Sequence, residues 1–164
     1  MGFMQAALVL ATFFCSLVAG FLFAFAVVVM PGIKNLDDRE FIRSFQVMDG
    51  IIQNNQPVFL LVWVGSILSL LAATVLSFWQ LAGAGWYLLV TATLLYLFGV
   101  QLPTVLINVP LNNQMQAQNV ISLNEQTQRE IRNNFEQRWN LSNVIRTGVA
   151  CLTSVLLMIL LFIL

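Results

Sequence analysis

The sequence contains no histidine and few charged residues. Seven of its 164 residues are Lys or Arg and seven are Asp or Glu, so the formal net charge is zero. Without histidine, the chain lacks the commonest metal ligand and the side chain that most often acts as general acid or base. Without net positive charge, it also lacks the field that attracts a nucleic-acid backbone. We therefore expect no metal, no cofactor and no nucleic-acid partner.

The chain also has little polar surface and no framework of cysteines. Its residues are 59% hydrophobic and 9% charged, whereas soluble domains average about 45–50% apolar and about 25% charged residues. Cys15 and Cys151 both lie in apolar runs, which is typical of buried thiols rather than of a disulfide framework or a zinc site. A water-soluble globule cannot be covered with so few polar groups, so the lipid bilayer is the expected partner.

What the chain has instead is four long apolar runs. They cover about residues 4–30, 57–79, 86–109 and 143–164. Each is close to or above the ~20 residues that a membrane-spanning helix needs. The pattern predicts an all-α protein: an integral membrane four-helix bundle formed by a single transmembrane domain over residues 1–164.

Small residues recur at every fourth position in the first two runs. These residues are Ser16, Gly20 and Ala24 in the first run and Gly65, Ser69 and Ala73 in the second. Small side chains at this spacing allow two membrane helices to approach closely. We therefore expect the first two helices to pack through these two stripes.

The connection between the first and second runs predicts a further, amphipathic helix. Asp37 with Glu40 three residues later is a capping-box pattern. Apolar side chains then recur at helical spacing at Phe41, Phe45, Met48 and Ile52. Such a helix lies at the membrane interface or folds back over the bundle. A partly ordered loop is the alternative.

Polar side chains enter the C-terminal end of the third run. Gln101, Thr104, Asn108 and Asn112 form one stripe on a continuous helix, with Pro110 between the two asparagines. An unsatisfied amide near hydrocarbon costs several kcal/mol, roughly 2–7 depending on the reference state. The two asparagines either cap a helix that the proline ends or bind a ligand.

A second polar group of residues precedes and enters the fourth run. Trp139, Ser142, Asn143 and Arg146 lie on one helix face. An arginine within a membrane span must pair with another group or extend to the interface. We expect Arg146 to hydrogen bond to the 108–113 segment or to Asp49, with a lipid phosphate as the alternative partner.

These two polar groups are expected to meet, because the end of the third helix and the start of the fourth lie at the same side of the bundle. The predicted ligand-binding residues are Asp49, Asn108, Asn112, Trp139, Asn143 and Arg146. Amide and guanidinium groups would orient the polar atoms of a bound molecule, and the indole would stack on it. The predicted site lies at the charged-side mouth of the bundle.

All seven basic residues lie in the two long connections or at the adjoining helix mouth. The positive-inside rule counts Lys and Arg near membrane spans and disregards acidic residues. It predicts that both connections are cytoplasmic and that both termini are on the opposite side.

Four stretches give the chain a family resemblance over nearly its whole length. The more specific stretches are Asn-Val-Pro-Leu-Asn-Asn at 108–113 and the late set Trp139, Asn143, Arg146 and Thr147. The weaker ones are Gly20–Phe25 with Met-Pro at 30–31, and 45–52 followed by a proline. The chain resembles the anthrone-oxygenase-like family of small four-helix membrane proteins, most of which have no assigned function.

The resemblance implies oxygenation of an anthrone, and the sequence departs from the family's late motif at two positions that bear on this reaction. The family's late motif looks like Trp-x-x-Trp-Asn-His-x-Arg-Thr, and here Ser142 and Val144 replace the second tryptophan and the histidine. Cofactor-free oxygenation of an anthrone, the activity implied, must remove a proton from the substrate. A histidine suits that step, and in its absence Asp49, which stands where asparagine is usual, is the candidate base.

Three classes of function follow from the sequence. The first is an enzyme or binding protein whose bundle mouth holds a flat hydrophobic molecule, such as a polycyclic phenol or quinone whose oxygens the amides and Arg146 would orient. The second is a non-catalytic accessory or structural subunit of a larger membrane protein complex, which the loss of the histidine fits. The third is a transporter, and Gln101 with Pro103 is the only feature that hints at it.

Overall fold

The computed structural model describes residues 2–164, which form five long helices, one short 3₁₀ turn and no strand. The helices are α1 (Phe3–Ile33), α2 (Asp38–Gln53), α3 (Pro57–Ser77), α4 (Ala84–Gln116) and α5 (Glu125–Ile163). The 3₁₀ turn, Val120–Ser122, lies between α4 and α5. The predicted all-α class is confirmed.

Four of these helices are long and apolar enough to cross a membrane. In α1, α3, α4 and α5 the mean hydropathy of the most apolar 18 residues lies between 1.8 and 2.6. Large apolar side chains such as Val28, Leu68 and Leu106 are exposed on their outer faces. In water these faces would be unstable, whereas in a bilayer they contact lipid. The protein is therefore an integral membrane bundle.

The third and fourth spanning helices continue beyond the apolar runs. α5 has 39 residues, so it is roughly 58 Å long at 1.5 Å per residue, about twice the hydrocarbon thickness. α4 passes through Pro110 and ends at Gln116. The expectation that the proline ends the third helix is therefore wrong, and Asn112 lies on the same helix as Asn108.

Prolines are accommodated in α1 and α4 by widened turns. The wide turns are Phe25–Val29, Leu97–Gln101 and Thr104–Asn108. Each ends two residues before a proline, namely Pro31, Pro103 or Pro110. Proline offers no N–H to the carbonyl four residues earlier and crowds it with its ring, and a turn closed by a bond five residues apart relieves that crowding. The wide turns therefore let α1 and α4 pass through their prolines without ending.

The amphipathic helix α2 folds back over the bundle. Asp37 caps it by accepting a 2.7 Å hydrogen bond from the Glu40 N–H, as the capping pattern predicts. Its buried face is Phe41, Ile42, Phe45 and Asp49. Met48 and Ile52, predicted on this face, are only half-buried. The covered side of α2 thus presents a carboxylate as well as aromatic rings to the other helices.

An arginine of α5 holds the segment that leads into α2. The Arg132 guanidinium donates to the Lys34 and Leu36 carbonyls at 2.7 and 2.9 Å. It also contacts the carboxylates of Asp38 at 3.1 Å and Glu136 at 2.9 Å. The first connection and the polar half of α5 are therefore fastened together at one end of the bundle.

The opposite end of the bundle holds the chain ends and the short turn between α3 and α4. A Cβ built on Gly2 would lie 3.9 Å from the Gln80 side chain, and one built on Gly85 would lie 3.5 Å from Leu160. None of the seven acidic and seven basic residues belongs to these segments. The bundle is therefore strongly asymmetric in charge from end to end.

Helices α1 and α3 pack closely, but through only one of the two predicted glycines. A Cβ on Gly65 would lie 3.0 Å from the Phe14 ring, so this glycine allows the contact. Gly20 is exposed and a Cβ there would meet nothing within 4 Å. The prediction of a close contact at Gly20 is wrong, because the buried small residues of α1, such as Ala11, Cys15 and Ala19, lie on a neighbouring face.

Candidate ligand-binding site

A cavity of about 250 Å³ lies at the charged end of the bundle, and all five helices contribute to its wall. The six residues predicted from the sequence all line it: Asp49, Asn108, Asn112, Trp139, Asn143 and Arg146. The polar stripe of α4 and the late polar group of α5 therefore meet as expected. That these residues bind a ligand remains a prediction.

Aromatic rings form much of the remaining wall. The aromatic lining residues are Phe21, Phe25, Phe45, Phe59, Trp63 and Trp139. Phe59 stacks on Trp63 with ring centroids 5.3 Å apart, and Phe21 meets Phe59 edge-on at 5.4 Å. Such rings give a cavity broad apolar faces at fixed angles. Most of them went unidentified in the sequence, because an aromatic residue within an apolar run carries no distinguishing signal.

Asp49 projects from α2 into this wall and is only 4% exposed. Three amides donate to its carboxylate: Asn112 to Oδ1 at 2.7 Å, and Gln53 and Gln116 to Oδ2 at 2.7 and 3.0 Å. Buried carboxylates are costly unless hydrogen bonds compensate them. Here neutral amides provide that compensation. Gln53 and Gln116 were missed in the sequence, although each lies four residues after a predicted site residue.

Asn112 also fixes the orientation of an indole. Its Nδ2 donates to Asp49, and its Oδ1 accepts a 2.7 Å hydrogen bond from Trp139 Nε1. Only one orientation of the amide satisfies both bonds. Trp139 in turn packs on Phe25 and Phe45, with centroids 5.8 and 5.6 Å away. The ring predicted to stack on a ligand is thus held by three helices.

Asn108 is held by Ser142, a serine of α5. Ser142 donates to Asn108 Oδ1 at 2.6 Å. The amide nitrogen of Asn108 has no partner, although the residue is 2% exposed. Asn108 therefore presents an unused N–H donor in the cavity wall.

Arg146 is buried within the bundle, at 3% exposure, and lines the cavity. Its two terminal nitrogens donate to Thr104 Oγ1 at 2.8 Å and to Asn143 Oδ1 at 3.0 Å. The prediction that it bonds to the 108–113 segment or to Asp49 is wrong, because the guanidinium lies level with Thr104, one turn before Asn108 on the same stripe of α4. It does not extend to the lipid surface either. Its Nε has no partner.

Two further hydrogen bonds join helices beside the cavity. Asn143 donates to the Leu22 carbonyl at 3.2 Å, which ties α5 to α1 beside the cavity. Trp63 donates through Nε1 to Gln101 Oε1 at 3.0 Å, and Gln101 Nε2 is left without a partner. Trp63 was not identified in the sequence. Like Asn108 Nδ2 and Arg146 Nε, Gln101 Nε2 is thus a buried donor without an acceptor at this end of the bundle.

The position of the family's histidine does not face the cavity. Val144 is 57% exposed and is absent from the lining residues, whereas its neighbour Asn143 is buried in the wall. Adjacent helical residues are separated by about 100° around the axis, since a turn has 3.6 residues. Valine in place of the histidine that the resemblance implies therefore affects the outer surface of α5 rather than the cavity.

Comparison with known proteins gives a family. A model of the anthrone oxygenase family matches residues 52–156, which is more than half of the chain. The match includes the cavity-lining parts of α3, α4 and α5 and begins just after Asp49. No curated protein matches the chain, and no solved structure matches it. The chain belongs to the anthrone oxygenase family, as an integral membrane protein with four apolar helices.

Proposed function

We propose that the cavity binds a flat aromatic molecule that carries oxygen atoms, a polycyclic phenol or quinone. The observation that supports this most strongly is that the cavity combines aromatic walls with buried N–H donors that have no acceptor. An unpaired buried donor costs about 1–3 kcal/mol. An oxygen atom of a ligand placed at Asn108 and Arg146 would recover that cost.

The size of the cavity also favours a compact ligand. Its volume is about 250 Å³, below the ~300–1,000 Å³ that is typical of pockets for drug-sized molecules. Two or three fused rings with a few oxygens suit such a space better than a long lipid chain. The matched family is named for an anthrone, a three-ring ketone of this class.

The position of Arg146 weighs against the alternative of an accessory subunit. If the guanidinium pointed outward to lipid headgroups, the polar residues would have no common cavity. Instead it lies inside the bundle beside Asn143 and Thr104. A protein that served only as a structural subunit of a larger complex has no need of this costly arrangement.

Quenching of tryptophan fluorescence tests the proposal. Purified protein in detergent would be titrated with 1,8-dihydroxyanthraquinone, and saturable quenching is expected because Trp63 and Trp139 line the cavity. Trp139→Leu removes a stacking partner. An aromatic pair contributes ~0.5–1.5 kcal/mol, so binding should weaken about 2- to 10-fold. Trp79→Leu, at an exposed indole at the far end, is the matched control and should bind as the wild type does.

Two results would count against the binding proposal. One is quenching that rises linearly with probe, as partition into micelles gives, in place of saturation. The other is a discrete larger assembly from native membranes that contains this protein and carries no small molecule. The latter would favour the accessory-subunit alternative.

We also propose that the charged end of the bundle faces the cytoplasm and that both termini lie on the opposite side. The support is the positive-inside rule, since all seven basic residues lie in or beside the two long connections. Single cysteines at Gly83 and Asn124 should react with a membrane-impermeant maleimide from opposite sides. Labelling of both from the same side would contradict the layout.

A further inference from the structure

We infer that the cavity holds its ligand as an oxyanion, an ionised phenol or enol, with Arg146 as the counter-ion. This rests on the proposed binding of an aromatic molecule and specifies its chemical form. The site would then select acidic phenols or enolisable ketones over neutral quinones of the same shape.

The first support is the charge of the cavity wall. Of its fifteen lining residues, Asp49 and Arg146 are the only ionisable ones. None of the ion pairs in residues 2–164 includes Arg146. Its hydrogen-bond partners, Thr104 and Asn143, are neutral. A buried cation without a counter-ion is expensive.

The second support is that the two lining charges are satisfied unequally. Three amides already donate to the carboxylate of Asp49. The guanidinium keeps an unused Nε–H, and the neighbouring Asn108 keeps an unused Nδ2–H. What the wall lacks is therefore an acceptor near Arg146, and hydrogen bonds from a cation to an ionised oxygen are about twice as strong as neutral ones.

The surrounding helices offer no other group to neutralise Arg146. α3 contains no ionisable side chain, and α2 contributes Asp49 as its only charged lining residue. The titratable residues in the spanning parts of α1 and α4, Cys15, Tyr87 and Tyr96, are not among the lining residues, and neither is Cys151 of α5. The Trp139 ring, whose centroid lies 6.0 Å from the Arg146 guanidinium carbon, adds a cation–π contact but no charge.

A lipid phosphate shares this oxyanion chemistry. The two sources differ in shape, since the cavity is walled by aromatic faces and encloses only about 250 Å³. These features favour a planar aromatic oxyanion over a headgroup that carries two acyl chains.

The test uses 1,2-dihydroxyanthraquinone, whose visible absorption moves to longer wavelength when a hydroxyl ionises. The pH midpoint of this colour change would be compared between probe bound to wild-type protein and probe in protein-free micelles. A nearby fixed cation favours the ionised form, so the midpoint should fall by about one pH unit or more, a tenfold preference.

Variants then assign the shift to one side chain. Arg146→Gln should return the midpoint to its micelle value, and Arg146→Lys, which keeps the charge, should keep part of the shift. Arg138→Gln is the matched control, because Arg138 is an exposed arginine of the same helix that does not line the cavity. If Arg146→Gln fails to fold, the wild-type midpoint still decides whether the ligand binds as an oxyanion, and Arg146→Lys against Arg138→Gln still tests the assignment to Arg146.

The outcomes separate this inference from the function on which it rests. Saturable binding with an unshifted midpoint would overturn the oxyanion and leave the binding proposal standing. Absence of saturable binding would overturn both. Native mass spectrometry tests the remaining possibility, a bound phospholipid. If the wild type retains a phospholipid that Arg146→Gln loses and that the probe does not displace, the oxyanion is a headgroup phosphate and the phenol or enol is overturned.

Discussion

The middle of the bundle and its charged end use the same helices but satisfy polar groups in different ways. In the middle, hydroxyls bond mainly to their own helix: Thr12 donates to the Leu8 carbonyl at 2.8 Å, and Ser154 donates to that of Ala150 at 3.0 Å. At the charged end, amides and a guanidinium bond between helices. A helix can satisfy a hydroxyl alone, whereas these larger groups require a particular neighbour.

The two ways of satisfying polar groups go with different packing in the two regions. Local hydroxyl bonds leave a densely packed core, in which Leu8, Tyr96 and Leu157 are fully buried. At the charged end, hydrogen bonds between helices surround a cavity, and some buried N–H donors there have no acceptor. Unsatisfied buried donors are uncommon in native proteins, and two of those in the described residues, on Asn108 and Arg146, belong to the cavity wall. These two donors are the basis for the proposal of a ligand there.

The largest expected effect comes from removing the acceptor on which three amides depend. Asp49→Leu should lower the free energy of unfolding by about 3 kcal/mol, since each buried donor left unpaired costs ~1–3 kcal/mol. Thermal unfolding in detergent measures this loss. Asp49→Asn, which keeps one acceptor oxygen, is the control and should lose less. Equal melting temperatures for wild type and Asp49→Leu would show that these bonds do not hold α2 in place.

Much of the fold follows from the sequence because hydropathy alone identifies membrane spans. The polar half of the site follows as well, because residues at helical spacing stay on one face even where a turn is widened. The partner of Arg146 could not be predicted, because Thr104 and Asn108 share a face one turn apart and the sequence does not say which lies level with the guanidinium. Nor could Trp63 be identified, since its indole contact with Gln101 joins two different helices.

Helix contacts in the densely packed region provide the next largest effect. A Cβ at Gly99 would lie 2.7 Å from Val149 Cγ1, and a β-branched side chain cannot easily turn away. Gly99→Ala should therefore lower the free energy of unfolding by about 1–3 kcal/mol. Gly20→Ala is the matched control, because its Cβ meets open space. It should be neutral or stabilise by up to about 1 kcal/mol through helix propensity.

A pair of serines compares the two regions directly. Ser142→Ala breaks a bond between α5 and α4 to Asn108 and should cost about 0.6 kcal/mol, up to ~1.7. Ser154→Ala removes a bond within α5, so its cost should be smaller. Unfolding in detergent measures both. If Ser154→Ala were the more destabilising of the two, the distinction between local and cross-helix bonding would not explain how the two regions differ.

The smallest effect is expected from restoring the histidine of the family motif. Val144 is 57% exposed on the outer surface of α5 and does not line the cavity. Val144→His should therefore change the affinity for a hydroxyanthraquinone by less than about twofold. The pH midpoint of the bound probe should move by at most a few tenths of a unit, close to measurement error. Fluorescence quenching and the probe's absorption report both. A larger shift would mean that residue 144 reaches the ligand and that Arg146 is not its only cationic neighbour. The charged end of the bundle would then differ from the middle in flexibility as well as in bonding, because α5 would have to rotate to bring that residue inward.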